Sequence, residues 1–358
     1  MDDHSYINYH AHIPMAFWLG LGAEPRVHWV DSWWTRMIEP VEKLLHPEDM
    51  SVLAEMSAVF YRDAGISEVW DMYFHEAEIA QSMAKHGLKV YAGEAVMTQP
   101  PSGFTKFKAI EETARLHELH AGNPLIEVVM GYIGPYSWAS DAEMSAACAS
   151  LAQELGLRVH THGAGEEGDY QACKELYGMG PVEALQHFGF FDARIPQVVI
   201  AHCGFLDKRE IEILTEVKDK VLVALCPRAA RNLEYGKCPV QKLVERGVRV
   251  GIGTDGGSPS GVPDMNEEIA VAAAGYGVPA EYFREINRSA LVMPGPVSEV
   301  ERLRISRAWI DCLRGIARRS SLAPDMQELL VNNGLANLPE FIRREIGSAF
   351  AIRYEHVR

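Results

Sequence analysis

Near its start the chain reads Tyr9-His10-Ala11-His12, and this stretch closes the first of eight short apolar runs. Side chains two residues apart on a β-strand project from the same face, so two imidazoles at this spacing can bind one metal ion together. Two histidines at this spacing also arise by chance in many proteins. The pair therefore becomes informative only through the residues that close the other runs.

The apolar, β-branched runs predict strands, and helical patterns separate them. The predicted strands cover residues 6–10, 67–72, 88–93, 125–131, 157–162, 197–202, 221–226 and 248–254. Strands that alternate with helices are typical of a parallel sheet covered by helices, and eight such units form a (β/α)8 barrel. We therefore expect an α/β protein of the TIM-barrel class.

Apolar residues three and four positions apart mark the helices between these strands. The clearest patterns cover residues 142–155, 207–217 and 240–246. Ser140-Asp141 offers an N-cap to the first of them. Gly156 and Gly247 each follow a helix end, where glycine can adopt the left-handed conformation that stops a helix.

The longest connection lies between the first two strands and is rich in aromatic residues, namely Phe17, Trp18, Trp29, Trp33 and Trp34. Its second part predicts a helix over residues 32–45, and the connection is well placed to cover the open end of the barrel. Trp18 follows the histidine pair closely enough to line a pocket for a flat substrate. An aromatic side chain in a long loop also commonly serves packing alone.

Composition restricts the class of protein. The chain has 358 residues, of which 47% are hydrophobic and 23% charged, as in a globular protein. A formal charge of −15 argues against binding nucleic acid or an anionic membrane and favours a small-molecule substrate.

The six cysteines lack the paired spacing of zinc knuckles or disulfide frameworks, and no signal peptide or membrane span is recognisable. We expect reduced thiols and a cytoplasmic location.

Polar residues that suit metal binding close several of the later predicted strands. His160 and His162 close the fifth, His202 closes the sixth, and Asp255 follows the eighth. Catalytic groups of a barrel come from the carboxyl ends of several strands, so these positions indicate one site. Singly, each histidine could be a hydrogen-bonded core residue and Asp255 a turn cap; for His160, which lies deeper in the barrel, we expect the core role.

The set His10, His12, His162 and Asp255 offers three imidazoles and one carboxylate, which suits Zn²⁺ or Fe²⁺ with a position left for water. A cation bound there would lower the pKa of a bound water towards neutrality, so hydrolysis is the expected chemistry. A second metal usually needs a bridging group such as a modified lysine on the fourth strand. Residues 125–138 contain no lysine, so we expect one divalent metal, with zinc preferred over iron.

From about residue 7 to residue 265 the chain resembles the amidohydrolase superfamily, in particular the branch with the methylthioadenosine/S-adenosylhomocysteine deaminases and the triazine hydrolases. The matching segments, in the order of the family, are Asn8-Tyr9-His10-Ala11-His12-Ile13-Pro14-Met15, Glu39-Pro40-Val41-Glu42, Asp71-Met72-Tyr73-Phe74-His75, Gly134-Pro135-Tyr136-Ser137, His160-Thr161-His162, Ala201-His202-Cys203, Cys226-Pro227 and Gly253-Thr254-Asp255-Gly256. The resemblance implies a metal-dependent barrel hydrolase.

The resemblance also implies roles for single residues. His10, His12, His162 and Asp255 would bind the metal, His202 would polarise the group under attack, and Asp255 would accept a proton from the attacking water. In the deaminases a glutamate three residues after the fifth-strand histidine shuttles protons, and here that position is Gly165. Glu166 follows at once and is the predicted replacement, although it could equally be a solvated loop carboxylate.

The substrate side of the site departs from the family. The histidine expected on the fourth-strand loop corresponds to Ile133, the second histidine after Ala-His-Cys to Phe205, and the usual Ser-Asn after Cys-Pro to Ala229-Ala230. Arg228 and Arg231 follow the seventh strand, where a guanidinium could pair with a substrate carboxylate or form a surface ion pair.

The domain prediction is a single barrel domain over residues 1–358, with the barrel at about 5–265 and a helical extension at about 266–358. Helical patterns at 299–317 and 338–346 could cover the barrel or form a subunit contact in a homo-oligomer. Most of the small β-sandwich that family members carry is expected to be missing, because only five residues precede the first strand and the return to such a sandwich after residue 265 is not recognisable.

We expect a mononuclear metal-dependent hydrolase that deaminates an amino-substituted aromatic or heterocyclic small molecule. The alternative is the same metal site acting on another bond, an amide or C–Cl bond, or closing a ring. A non-catalytic barrel that serves in binding or assembly is the third interpretation.

Overall fold

A parallel sheet forms the centre of the computed structural model, which describes residues 5–19, 38–136, 139–322 and 324–346. Its strands are β1 (Tyr6–His12), β2 (Ile66–Tyr73), β3 (Lys89–Val96), β4 (Ile126–Val128), β5 (Met130–Tyr132), β6 (Val159–His162), β7 (Val198–Ala201), β8 (Val221–Leu225), β9 (Arg249–Ile252) and β10 (Asp255–Gly256). The pairs β4/β5 and β9/β10 are interrupted strands, so the sheet has eight strand places. Each coincides with a predicted strand.

Backbone pairing closes the sheet into a barrel. Neighbouring strands follow chain order from β1 to β9, and β10 pairs in parallel with β1 through Ala11 and Asp255. Between β9 and β10, the amide of Thr254 donates a hydrogen bond of 2.9 Å to the carbonyl of His10. The last strand of the barrel, interrupted into β9 and β10, thus pairs with β8 through β9 and with β1 through β10. The predicted (β/α)8 barrel is confirmed.

Helices cover the outside of the sheet. They are α1 (Glu39–Glu42), α2 (Pro47–Asp63), α3 (Glu76–Lys85), α4 (Lys106–Leu119), α5 (Ala142–Leu155), α6 (Glu167–Tyr177), α7 (Pro181–Phe188), α8 (Lys208–Glu216), α9 (Pro227–Asn232), α10 (Val240–Glu245), α11 (Gly257–Ser260), α12 (Met265–Tyr276), α13 (Ala280–Ile286), α14 (Glu299–Arg319) and α15 (Pro324–Ala336). A 3₁₀ helix, Ile13–Trp18, follows β1, and residues 340–346 are also helical.

The predicted helix ends are formed by the expected residues. The carboxylate of Asp141 accepts a hydrogen bond of 2.8 Å from the amide of Met144 and so caps α5. Gly156 (φ 62°) and Gly247 (φ 80°) adopt the left-handed conformation after α5 and after the end of α10. Local sequence therefore fixes where these helices begin and end.

The long connection after β1 is described only in part. Trp29, Trp33, Trp34 and residues 32–37 of the helix predicted at 32–45 lie outside the described residues. Helix α1 lies within the described part of that predicted helix. Phe17 and Trp18 are fully buried at the end of the 3₁₀ helix. Both side chains belong to the hydrophobic core.

Every strand among the described residues belongs to the barrel sheet, and the described chain after β10 is helical apart from loops. Helix α14 packs on α2 through Trp309 and Phe60, whose ring centroids are 5.9 Å apart. Arg302 of α14 forms an ion pair of 2.6 Å with Asp63 of α2. Helix α14 therefore covers the outside of the barrel, while the predicted domain boundary near residue 265 stays a prediction.

The six cysteines are free thiols, as predicted. Within the part of the chain that the structure describes, no helix combines the length and apolarity that crossing a bilayer requires.

Closure of the barrel depends on a glycine next to His10. A Cβ atom on Gly253 would lie 2.7 Å from both the Cβ and the backbone nitrogen of His10, too close for β1 and the eighth strand to keep their spacing. We predict that Gly253→Ala lowers the free energy of unfolding by about 1–3 kcal/mol, measured by urea denaturation.

The matched control is Gly275→Ala, because a Cβ atom on this exposed glycine of α12 meets nothing within 4 Å. Alanine is the better helix former, so this change should be neutral or stabilising. Equal stability of the two variants would contradict the close approach at Gly253.

Candidate metal centre and substrate cavity

Four of the predicted residues meet at the carboxyl ends of the strands. His10 and His12 close β1, His162 closes β6, and Asp255 begins β10. The ring centroid of His10 lies 4.8 Å from that of His12 and 4.8 Å from that of His162. One carboxylate oxygen of Asp255, Oδ1, lies 3.5 Å from Nε2 of His12 and 3.8 Å from Nε2 of His10. The predicted ligand set is therefore one cluster.

Backbone carbonyl groups orient the imidazoles of His12 and His162. Nδ1 of His12 donates to the carbonyl of Met72, and Nδ1 of His162 donates to the carbonyl of Ile133, each at 2.8 Å. A neutral imidazole carries one proton, so these bonds leave both Nε2 atoms with a lone pair. This is the form in which histidine binds a metal.

A second histidine orients His10. Nδ1 of His160 donates to the carbonyl of Asp71 at 3.1 Å, so its Nε2 must act as acceptor. Nδ1 of His10 lies 2.8 Å from that Nε2 and donates to it, which leaves Nε2 of His10 with a lone pair. Nε2 of His10 is buried and has no hydrogen-bond partner. The expected core role of His160 is thus also a positioning role.

Burial keeps three histidines of this region neutral. Burial, and then the neighbouring histidines, lower the pKa values of His10 and His162 well below the usual range, and burial lowers the pKa of His160 to about 3. At neutral pH all three are therefore unprotonated at one nitrogen. Neutral imidazoles and a carboxylate are the donors that a divalent cation requires.

The spacing of the donors agrees with such a cation. Donors about 2.0–2.1 Å from a tetrahedral zinc ion are about 3.4 Å apart, close to the observed separations of 3.5 and 3.8 Å between imidazole nitrogens and Asp255. A bound ion would give the orphaned Nε2 of His10 a partner. These residues fit a divalent metal.

His202 lies beside the four predicted ligands. Its Nε2 is 3.8 Å from Oδ2 of Asp255, and its Nδ1 is buried without a partner. His202 (φ 69°) and Asp255 (φ 62°) both adopt left-handed backbone conformations, which cost about 1–3 kcal/mol for residues with side chains. The amide of Gly256 stabilises Asp255 by donating to its Oδ1 at 2.7 Å. The strained backbone turns both side chains towards the centre.

A cavity opens directly above this cluster. His12, His162, His202 and Asp255 form its floor. The walls are formed mainly by apolar and aromatic side chains, namely Met15, Met72, Tyr73, Phe74, Ala95, Met97, Ile133, Tyr136, Leu233, Tyr235 and Pro259. A mostly apolar cavity with a few polar groups at one end suits a small molecule with an apolar body.

The other predicted site residues lie away from the cavity wall. Trp18 is fully buried in the core. The guanidinium of Arg228 donates to the carbonyl of Val262 at 3.0 Å and lies 3.4 Å from Glu267, and the exposed Arg231 contacts Asn232. The structure does not bring these three residues to the described lining of the cavity, and their predicted role in substrate binding stays a prediction.

Glu166 is not among the described residues that line the cavity. It is half-buried at the N-cap of α6, whereas Gly163, Gly165 and Asp169 of this region belong to the cavity lining. Asp169 lies in the first turn of α6 and is only 6% exposed. The carboxylate in the cavity wall is therefore Asp169, which the family motif did not indicate.

Three further residues of the site were missed by sequence reasoning. Asp71 accepts from the amide of Ile13 at 2.7 Å and ties the segment after His12 to β2. The thiol of Cys226 lies near His10 and Asp255, but burial raises its pKa well above the usual range and keeps it protonated. Tyr235 reaches the cavity from the loop after α9. Asp71 and Cys226 stood in recognisable motifs, and Tyr235 did not.

Comparison with known proteins agrees with this geometry. The profile of the amidohydrolase family matches residues 5–285. A 5'-deoxyadenosine deaminase from Methanopyrus kandleri is 31% identical over 83% of this chain and 68% of its own length. A 5-methylthioadenosine/S-adenosylhomocysteine deaminase from Aquifex aeolicus is 31% identical over 77% of this chain and 63% of its own length. The chain thus spans about two thirds of these relatives.

A solved structure shares the fold. The zinc-bound adenosine deaminase from Xanthomonas campestris superposes with a TM-score of 0.69 and 22% identity, covering 88% of this chain and 66% of its own.

The hydrogen bond from His10 to His160 yields a prediction for metal affinity. His160→Leu removes the acceptor that orients His10, so we expect zinc affinity to fall by about 10- to 100-fold, measured by competition with a chromophoric chelator. His160→Gln, whose amide oxygen can accept the same bond, should retain more affinity.

His117→Ala is the control, because His117 lies at the opposite end of the barrel, beside the segments that precede β4 and β6. It should bind zinc like the unmodified chain. Equal zinc affinity of the Leu and Gln variants at position 160 would exclude the positioning role.

Proposed function

Because the chain belongs to the amidohydrolase family, we propose that it is a metal-dependent hydrolase that releases ammonia from an amino-substituted aromatic or heterocyclic small molecule. The observation that carries the proposal is the cluster of three oriented imidazoles and Asp255 beside an apolar cavity. The deaminase names of the relatives supply the reaction type.

The ligands in this proposal are His10, His12, His162 and Asp255, and they hold one ion. We favour zinc over iron, because three imidazoles and a carboxylate form a typical zinc set. A divalent cation there would lower the pKa of a bound water towards neutrality and supply a nucleophile.

The remaining chemistry belongs to side chains around the ligands. We assign the acceptance of a proton from the attacking water to the carboxylate of Asp255, whose second oxygen lies 3.8 Å from Nε2 of His202. His202 lies at the edge of the cavity floor and can stabilise charge that develops on the group under attack.

Proton delivery to the leaving amine needs a further group. Glu166 is the group that the sequence indicates, but Asp169 is the carboxylate in the cavity wall. We therefore propose Asp169 for this task and test Glu166 beside it.

The walls of the cavity restrict the substrate. Ile133 takes the place of a family histidine and lies in the wall, next to methionine and aromatic side chains. A buried hydroxyl without a partner costs about 1–3 kcal/mol, so sugar hydroxyls would be poorly matched here. We favour a neutral, flat aromatic or heterocyclic substrate over a nucleoside. The cytoplasmic location and the subunit contact stay predictions.

The second candidate is the same centre acting on another bond, an amide or a C–Cl bond, or closing a ring. The observation in its favour is Gly165, which removes the glutamate used by deaminases to protonate a ring nitrogen. Chloride or acid release in place of ammonia would identify it.

The deaminase proposal is tested by metal analysis together with an ammonia-release screen over amino-substituted aromatics and purines. We expect about one equivalent of zinc per chain and ammonia from at least one compound. Removal of the metal by a chelator should abolish release, and added zinc should restore it. Stoichiometric zinc without ammonia from any compound would favour the second candidate.

Paired variants test the proton-delivery group. Asp169→Asn should lower kcat by about 10²- to 10⁴-fold with unchanged zinc content, because it removes a carboxylate from the cavity wall. Glu166→Gln should change kcat little. A large loss of kcat in Glu166→Gln, with little change in Asp169→Asn, would instead support Glu166, the residue that the sequence indicates.

A further inference from the structure

The space beside Gly165 is filled by another side chain. A Cβ atom on Gly165 would lie 3.0, 3.1 and 3.3 Å from three carbons of the Tyr235 ring, Cε2, Cδ2 and Cζ. Gly165 is also the position at which the resemblance places the family glutamate. In this chain the ring of Tyr235 therefore stands where that side chain would begin.

Three loops hold Tyr235 in this place. The amide of Tyr235 donates to the carbonyl of Ala230, and the amide of Gly236 donates to the carbonyl of Gly165, both at 2.9 Å. A Cβ atom on Gly204 would lie 2.8 Å from the carbonyl oxygen of Gly236 and 2.9 Å from that of Gly165. The loops after β6, β7 and α9 thus pack backbone on backbone, which fixes the ring.

The fixed ring faces the reacting end of the cavity. Tyr235 is part of the cavity lining, and its ring lies edge-on to His202 with centroids 5.1 Å apart. Burial, and then the carboxylate of Asp255, raise the pKa of the Tyr235 phenol well above its usual range. The phenol is therefore neutral at neutral pH, able to donate a hydrogen bond and unable to act as a base.

Resting on the proposed function, we propose that Tyr235 takes over substrate recognition from the missing side chain at position 165. Its phenol donates a hydrogen bond to an uncharged acceptor atom, such as a ring nitrogen, next to the carbon under attack. A glutamate could carry a proton to that atom, whereas Tyr235 only polarises it. The enzyme should thus prefer amino-heterocycles whose amino group is adjacent to a ring nitrogen.

Two small probes isolate this hydrogen bond without requiring turnover. 2-Aminopyridine carries its amino group beside a ring nitrogen, and aniline has the same shape without the nitrogen. The zinc-loaded protein should bind 2-aminopyridine about fivefold more tightly than aniline, the factor expected of one neutral hydrogen bond, in isothermal titration calorimetry.

In Tyr235→Phe the ring remains and the donor is lost, so the preference should disappear while aniline affinity and zinc content stay unchanged. A preference that persists in Tyr235→Phe would overturn the proposal, because it would then come from the metal or another residue. No preference in the unmodified protein, or no binding of either probe, would overturn it as well.

A second experiment tests the packing without any ligand. Gly165→Ala should lower the melting temperature by about 1–3 °C, because its Cβ meets the ring of Tyr235. In a Tyr235→Ala background the same change should cost nothing, since the ring is gone. Equal shifts in the two backgrounds would show that Tyr235 does not fill the space at Gly165. Neither the binding preference nor the melting-temperature shift depends on ammonia release. The proposed deaminase function and the proposed role of Tyr235 can therefore fail independently.

Discussion

The orientation of three imidazoles by hydrogen bonds through Nδ1 is the constraint on which the site depends. Each of these hydrogen bonds crosses from one strand or strand end to another: His12 to Met72, His162 to Ile133, and His10 through His160 to Asp71. The lone pairs converge only while the strands keep their register. Barrel closure is therefore also a requirement of the metal centre, and Gly253, packed against His10, serves both.

The regular part of the structure could be predicted from the sequence. Eight apolar runs separated by helical patterns predict the barrel. Because parallel strands bring their carboxyl ends together, the residues at these ends predict the cluster of His10, His12, His162 and Asp255. The resemblance to the amidohydrolases is confirmed by the family match over residues 5–285. The spacing of hydrophobic residues and the carboxyl end of each strand are local properties of the chain, so a single sequence suffices to recognise them.

The less regular part could not be predicted, because it depends on contacts between distant loops. His160 was expected to be a core residue, and its bond to His10 depends on the register of β1 and β6, which periodicity does not define. Helix α6 begins at residue 167, and Asp169 in its first turn reaches the cavity lining. Tyr235 lies in the cavity lining next to Glu234, whose backbone is left-handed (φ 54°), and beside loops that approach each other closely at three glycines.

The site thus consists of two parts with different physical origins. Strand ends hold the metal-binding residues, and their positions follow from the pairing that any closed barrel of this kind must keep. Loops hold the residues that face the substrate, and their positions depend on side-chain volumes, such as the ring of Tyr235 against Gly165. Relatives that are 31% identical can therefore share the first part while differing in the second. For this reason the family indicates the type of hydrolysis more firmly than the substrate, and the substrate has to be inferred from the walls of this cavity.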